Sequence, residues 1–265
     1  MTINPRDIRE KLQTNWIGHK IYSYPVVQST NELLKEMAQQ GEPAGTLLLA
    51  EYQSHGKGRR GRQWQAPAGT SLLLSLLFRP DWPVKQANWL TMIAGLAVSR
   101  AINGETSLTT ALKWPNDVVI SRDGLIRKFG GILLESVANE QRLRWVVLGI
   151  GLNVNIPGDQ LPKTETPATS LSIELDRAVP REQLLIRLLQ DLELLYISAE
   201  NGLSPHPEWN NLLVNLGKPV RVTGAGYRSP MVGTAEGTDS WGRLLVRDNQ
   251  GKLHSISAGD VTLRD

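Results

Sequence analysis

Residues 70–79 read "TSLLLSLLFR", a run in which Ser75 alone interrupts the apolar side chains between Leu72 and Phe78. A run of this length bounded by turn signals reads as a strand that belongs in a core. It falls far short of the ~20 apolar residues that a membrane-spanning helix needs. "GTLLLAEY" (45–52) and "RWVVLGIGLNV" (144–154) read as further strands. Between them, "NWLTMIAGLAVSRAI" places Leu90, Ile93, Ala94, Ala97, Val98 and Ala101 at helical spacing.

"STNELLKEMAQQG" (29–41) predicts a short helix, with Ser29 as a cap, Glu32 placed for a capping box and Gly41 as a stop. "TALKW", "DVVIS" and "GGILLESVA" predict strands separated by a Pro-Asn-Asp corner and by the Arg-Asp-Gly turn at 122–124. "NIPGDQLPKTETPATS", with three prolines, reads as an irregular loop. "PREQLLIRLLQDLELLYISAE" reads as a long amphipathic helix with proline in its first turn. From about Gly217 short apolar pieces punctuated by glycine predict a small β barrel or sandwich. The expected class is α/β (α+β): a mixed sheet flanked by helices over 1–215, and a small β domain over 216–265.

The 265 residues are 40% hydrophobic and 21% charged with a net charge of +3, so any strong positive field must be local. The absence of cysteine excludes disulfides, thiolate zinc sites and thiol nucleophiles, and fits a reducing compartment. No apolar run near the N-terminus has signal-peptide length, so a cytoplasmic protein is expected. His19, His55, His206 and His254 show no spacing suggestive of a triad or a zinc site.

The local field is "HGKGRRGRQW", residues 55–64, with four cations among three glycines. Its G-K-G-R-R-G matches the dinucleotide fingerprint, but "RQWQAPAGTS" follows, and Pro67 and Gly69 leave no room for the required helix. None of the Gly-Lys pairs at 56, 217 and 251 precedes Ser or Thr, so no Walker loop is present. A nucleic-acid site would need an extended basic track. A merely solvated charge run leaves the interleaved glycines unexplained. Glycines between cations suit a mobile loop whose amides approach a small phosphorylated ligand. The cationic theme recurs in "RKFGGILLE", where Lys128 precedes a Gly-Gly pair that would let another backbone pass, although Arg127 and Lys128 also suit a solvated hairpin turn.

In this order, "STN", "EYQSHGKGRRGRQW", "KWPNDV", "RKFGGILLE" and "GIGLNVN" resemble the biotin protein ligases over about residues 28–156. The resemblance implies an SH3-like C-terminal domain. It also implies an enzyme that joins biotin to ATP, giving biotinyl-5'-AMP and pyrophosphate. Biotin then passes to one lysine of a biotin carboxyl carrier protein or of the carrier domain of acetyl-CoA carboxylase.

Carried onto this chain, Ser29, Thr30, Asn31, Gln53, Gly56, Lys57, Gly58, Arg59, Lys128 and Gly131 match the biotin site, with Ser29 equally readable as a helix cap. Arg59, Arg62, Trp64, Asn116, Lys128 and Asn153 match the ATP and adenylate site, with Trp64 also readable as core packing. Lys128 and Arg59 are the expected catalytic pair, and Mg2+ is expected with ATP, its ligands unassigned. Lys57 stands where the family usually has arginine. Lys113 and Asp117 match the motif, but a strand-corner-strand turn accounts for them. The "STN" motif at residue 29 leaves no room before it for the DNA-binding domain of some relatives, so no DNA partner is expected, nor a membrane. A homodimer is one possible assembly, and the sequence leaves open whether the chain pairs through a sheet edge. The rivals are a lipoate protein ligase and, in another class, a basic nucleic-acid-binding protein.

Overall fold

The structure is a computed structural model and describes residues 2–224 and 229–263. Helix α1 (Pro5–Lys11) precedes strand β1 (Ile21–Val27), helix α2 (Thr30–Gln39), β2 (Leu47–Gln53), β3 (Ser71–Phe78) and helix α3 (Ala87–Glu105). Four strands follow: β4 (Ala111–Lys113), β5 (Asp117–Arg122), β6 (Leu125–Asn139) and β7 (Arg142–Asn153). Helices α4 (Leu171–Leu175), α5 (Arg181–Glu200) and α6 (His206–Asn211) lead to β8 (Pro219–Thr223), β9 (Met231–Thr238), β10 (Leu244–Asp248), β11 (Leu253–Ile256) and β12 (Asp260–Leu263).

The first seven strands form one mixed sheet in the order β1-β2-β3-β7-β6-β5-β4, parallel only between β1 and β2. β3 is buried along its whole length because both of its faces are covered, as its apolar run requires. Leu72, Leu74, Leu76 and Phe78 belong to the main core with α3 and α5. On the opposite face Leu77 packs with Leu34, Ala38, Leu48, Trp145 and Val147 beneath α2. The last five strands form an antiparallel sheet in the order β11-β10-β9-β8-β12. This is the expected class of fold.

Local differences from expectation have physical reasons. Ser29 does occupy the cap position of α2 but makes no capping bond. Gln53 Oε1 instead accepts from the Thr30 amide at 2.7 Å, and Glu32 pairs with Lys35 and Lys57 rather than closing a capping box. Pro180 caps α5 from outside its first turn. Arg127 and Lys128 are not in a solvated turn: β6 starts at Leu125, and the pair is registered against Ile120 and Val119. The proline-rich loop is extended at Ala168, which bridges to Lys128, with the Lys128 amide donating to Pro167 O at 2.8 Å.

The two sheets meet at the turn between β9 and β10. Trp89 and Trp114 donate their indole N–H groups to Ser240 O at 3.0 Å and Gly242 O at 2.9 Å. Asn88 Nδ2 donates to Trp241 O at 3.1 Å, and Trp241 stacks on Trp89. The main core runs through this contact into β8–β10 and β12.

Candidate active site

A cavity of about 520 Å³ opens beyond the N-terminus of α2, on the sheet face that α2 covers. One end is neutral and hydrogen-bonded. Thr30 Oγ1 donates to Gln53 Oε1 at 3.0 Å, and Ser75 Oγ lies 2.8 Å from Thr30 Oγ1 and 2.6 Å from Asn31 Oδ1. Asn31 Nδ2 donates to Glu135 at 2.9 Å. Ser29, Thr30 and Asn31 are buried, and for Thr30 and Asn31 these bonds offset the cost of taking polar groups out of water.

The floor is made of glycine. Gly131 and Gly151 are directly paired across β6 and β7, and the Trp64 indole lies on them. A Cβ at Gly151 would stand 2.6 Å from Trp64 Cε2, and one at Gly149 would run into Asn31 Oδ1. What passes over Gly131 is thus an indole, not the backbone expected from the Gly-Gly pair. Gly130 faces Leu152 and Val118 instead.

The glycine-rich segment is a tight hairpin. Gly58 N donates to Arg62 O at 2.7 Å, Trp64 N donates to Gly56 O at 2.9 Å, and Arg60 takes a left-handed φ of 58°. No helix follows it, which removes the dinucleotide-turn reading. Gly56 is the one expected site residue that does not line the cavity. It is glycine because a Cβ there would strike the Trp64 carbonyl.

The other end of the cavity is cationic. Arg59 Nη1 reaches Asn116 Oδ1 at 3.3 Å, and Asn116 Nδ2 donates to Ile132 O at 2.6 Å. Lys128 pairs with Asp117 at 2.6 Å and stands 5.7 Å from the Trp64 ring centroid. Arg62 binds Asp260 on β12 at 2.5 Å, while Arg60 binds the same carboxylate and Thr223 O. Lys57 pairs with Glu32 at the rim, and Lys35 and then Lys57 hold that carboxyl below the ordinary glutamate range. Burial lowers the pKa of Arg59, which remains charged near neutrality.

Among the described residues that line the cavity, two carry a buried polar atom without a partner, Trp64 Nε1 and Asn153 Oδ1, while Asn153 Nδ2 donates to Thr169 O at 3.1 Å. Unsatisfied groups beside a cavity are what a polar ligand would complete. Ser29, Thr30, Asn31, Gln53, Lys57, Gly58, Arg59, Arg62, Trp64, Asn116, Lys128, Gly131 and Asn153 are brought to one cavity. Sequence reasoning missed the wall formed by Pro162–Thr166 and Ala168, the reach of Asp260, and the inward position of Lys113 and Asp117.

The model of the Biotin/lipoate A/B protein ligase family matches residues 23–153, and that of the Biotin protein ligase C terminal domain matches 216–264. The biotin--[acetyl-CoA-carboxylase] ligase of Mycobacterium tuberculosis is 38% identical over 241 residues, covering 88% of this chain and 85% of that protein. The chain belongs to the biotin protein ligase family. Another relative, the bifunctional ligase/repressor BirA of Bacillus subtilis, is 33% identical over 264 residues, 98% of this chain and 79% of that one. Among solved structures, the biotin protein ligase from Aquifex aeolicus in complex with biotin and ATP superposes with a TM-score of 0.75 at 26% identity, covering 93% of this chain and 99% of that chain. The two family segments fall on the two sheets, and the cavity draws residues from both.

Proposed function

We propose that this chain is a biotin--[biotin carboxyl carrier protein] ligase that makes biotinyl-5'-AMP from biotin and ATP and passes biotin to a carrier lysine. The observation that carries it is one cavity with a neutral, hydrogen-bonding end at Ser29–Asn31 and Gln53, and a cationic end at Arg59, Arg62 and Lys128. A ureido ring suits the first end, and a carboxylate meeting a triphosphate suits the second. We divide the chain into a catalytic domain over 1–215 and a β domain over 216–265.

In the first step a biotin carboxylate oxygen bonds to the α-phosphorus while the bridge to the β-phosphate breaks and pyrophosphate leaves with the electron pair. No protein nucleophile is required. The work left to the protein is to bring two anions together and stabilise charge on the phosphoryl oxygens. Lys128 is assigned to the carboxylate and α-phosphate, and Arg59 closes over them from the hairpin. Trp64, Asn116 and Asn153 are assigned to the nucleotide. In the second step the carrier's amine attacks the acyl carbon and AMP departs, so water must be kept out meanwhile.

Among the described residues no group of three or more acidic, histidine or cysteine side chains is placed to hold a metal. Magnesium would arrive with the triphosphate as its counter-ion. When bound it neutralises phosphate charge. The proposal carries no DNA-binding duty, because Arg60 and Arg62 turn onto Asp260 and Lys57 onto Glu32 rather than forming an open track. Among the described residues no helix is long and apolar enough to cross a membrane. We place the reaction in the cytoplasm and keep a homodimer through the β1 edge of the large sheet as the assembly to test by sedimentation, since Leu112 of β4 already pairs with Leu212 and Val214.

The decisive experiment supplies purified protein with biotin, MgATP and a carrier domain. Biotinyl-5'-AMP, pyrophosphate and one labelled lysine are expected. Lipoate in place of biotin should give none of them, and equal turnover of both would favour a broader acyl ligase.

A further inference from the structure

Lys113 ends β4 and lines the cavity, yet the residue is only 9% exposed. Its ammonium donates to Thr166 Oγ1 at 2.6 Å, and among the described residues no carboxylate oxygen lies within the 4.0 Å of an ion pair. Lys128, by contrast, has Asp117 at 2.6 Å. A buried ammonium with one hydroxyl partner is costly, because burial removes hydration that a single neutral hydrogen bond does not replace. Burial accordingly pushes the pKa of Lys113 down; Asp117 and Glu165 oppose this from a distance, while Lys128 and Arg62 add to it. A corner turn explains why a polar residue stands near Pro115, but not why its charge is turned inward without a counter-ion. An anion entering the cavity would supply one.

Position separates the two lysines. Lys128 stands beside the Trp64 ring and the Gly131 floor. Lys113 faces the wall of Glu165 and Thr166, and that wall is tied to β12 by Thr262 Oγ1 donating to Glu165 at 2.5 Å. We propose that Lys113 binds the β- and γ-phosphates of ATP and holds the departing pyrophosphate, leaving Lys128 for the carboxylate and α-phosphate. The assignment rests on the adenylating function proposed above. No proton moves at Lys113 in this step: the bridging P–O bond breaks toward pyrophosphate, and the ammonium offsets the charge that gathers there.

The test uses full-length Lys113→Met, which removes the charge and keeps the apolar stem. Formation of biotinyl-5'-AMP from biotin and MgATP should fall by about 100-fold. Inorganic pyrophosphate, titrated by calorimetry, should bind about tenfold or more weakly. Transfer to the carrier domain from added biotinyl-5'-AMP should stay within about threefold of the parent, since no pyrophosphate is involved. Lys113→Arg should recover pyrophosphate binding, and Lys113→Gln is read in the same three ways if the methionine variant does not fold. The proposal is overturned if adenylate formation stays within about threefold, or if transfer from added adenylate falls as far, which would make Lys113 a prop for the Thr166 wall. Failure of the parent protein to make biotinyl-5'-AMP would instead sink the proposed reaction, and pyrophosphate binding by parent and variant would still decide whether Lys113 meets that anion.

Discussion

At Gly151 a single added methyl group would stand 2.6 Å from the Trp64 indole. Gly151→Ala should lift the ring and cost about 1–3 kcal/mol, in the manner of an overpacked core. Urea unfolding would measure this, and a rise in the KM for ATP should accompany it; unchanged stability and KM would show that the ring has free room. Among the described residues the Arg59 guanidinium makes one hydrogen bond, to Asn116 at 3.3 Å. Arg59→Gly should loosen the grip on the adenylate, so that activated biotin escapes to lysines of a bystander protein such as albumin. Labelling confined to the carrier lysine would refute that. At this scale the ordered motifs named in advance, by resemblance, residues that line the cavity, Gly56 excepted. Lys113 was not so assigned: a corner turn accounts for the residue, and only its burial and missing counter-ion distinguish it from a turn lysine.

Among elements, β12 is the least expected participant. Asp260 holds Arg60 and Arg62, and Thr262 holds Glu165, so one short strand grips both the cationic hairpin and the proline-rich wall. Asp260→Ala should speed proteolytic nicking within 55–64, and biotin with ATP should slow it again if the ligand takes over the arginines. Equal nicking in parent and variant would dismiss the clasp. The other side of the hairpin answers to pH. The Glu32 carboxyl is depressed by Lys35 and Lys57, so their ion pairs persist at and above the ordinary glutamate range of about 4.3 and are lost only as pH falls through the lower folded value. Lys57→Ala should therefore raise the Glu32 titration midpoint, read by carboxyl NMR, and no upward shift would show that Lys57 does not hold it. The long strands and helices were legible from apolar length and period. The start of β6 was not, because "LIRKF" carries a turn's charges, and its strand pairing is with β5 rather than within itself.

Across the whole molecule the cavity depends on both sheets. The turn at Ser240–Gly242 accepts the indole protons of Trp89 and Trp114, and Trp114 directly precedes the corner that carries Asn116 and Asp117. Gly242 has a φ of 77°, and a Cβ there would crowd Asn88 and Met92. Gly242→Val should cost more than about 2 kcal/mol in thermal or urea unfolding and raise the KM for ATP with it. A variant with parental stability and KM would mean that the sheets need not be joined here. Sequence could announce a small β domain but not this contact, since Trp114 and Gly242 stand 128 residues apart in the chain and no local pattern links them. The bare floor under Asn31 and Trp64 has one more consequence. Any codon change at positions 149 or 151 that alters the amino acid installs a bulkier group, so both should be nearly blank in a saturation library selected for activity. Gly41, beside which a Cβ would meet nothing, should tolerate asparagine.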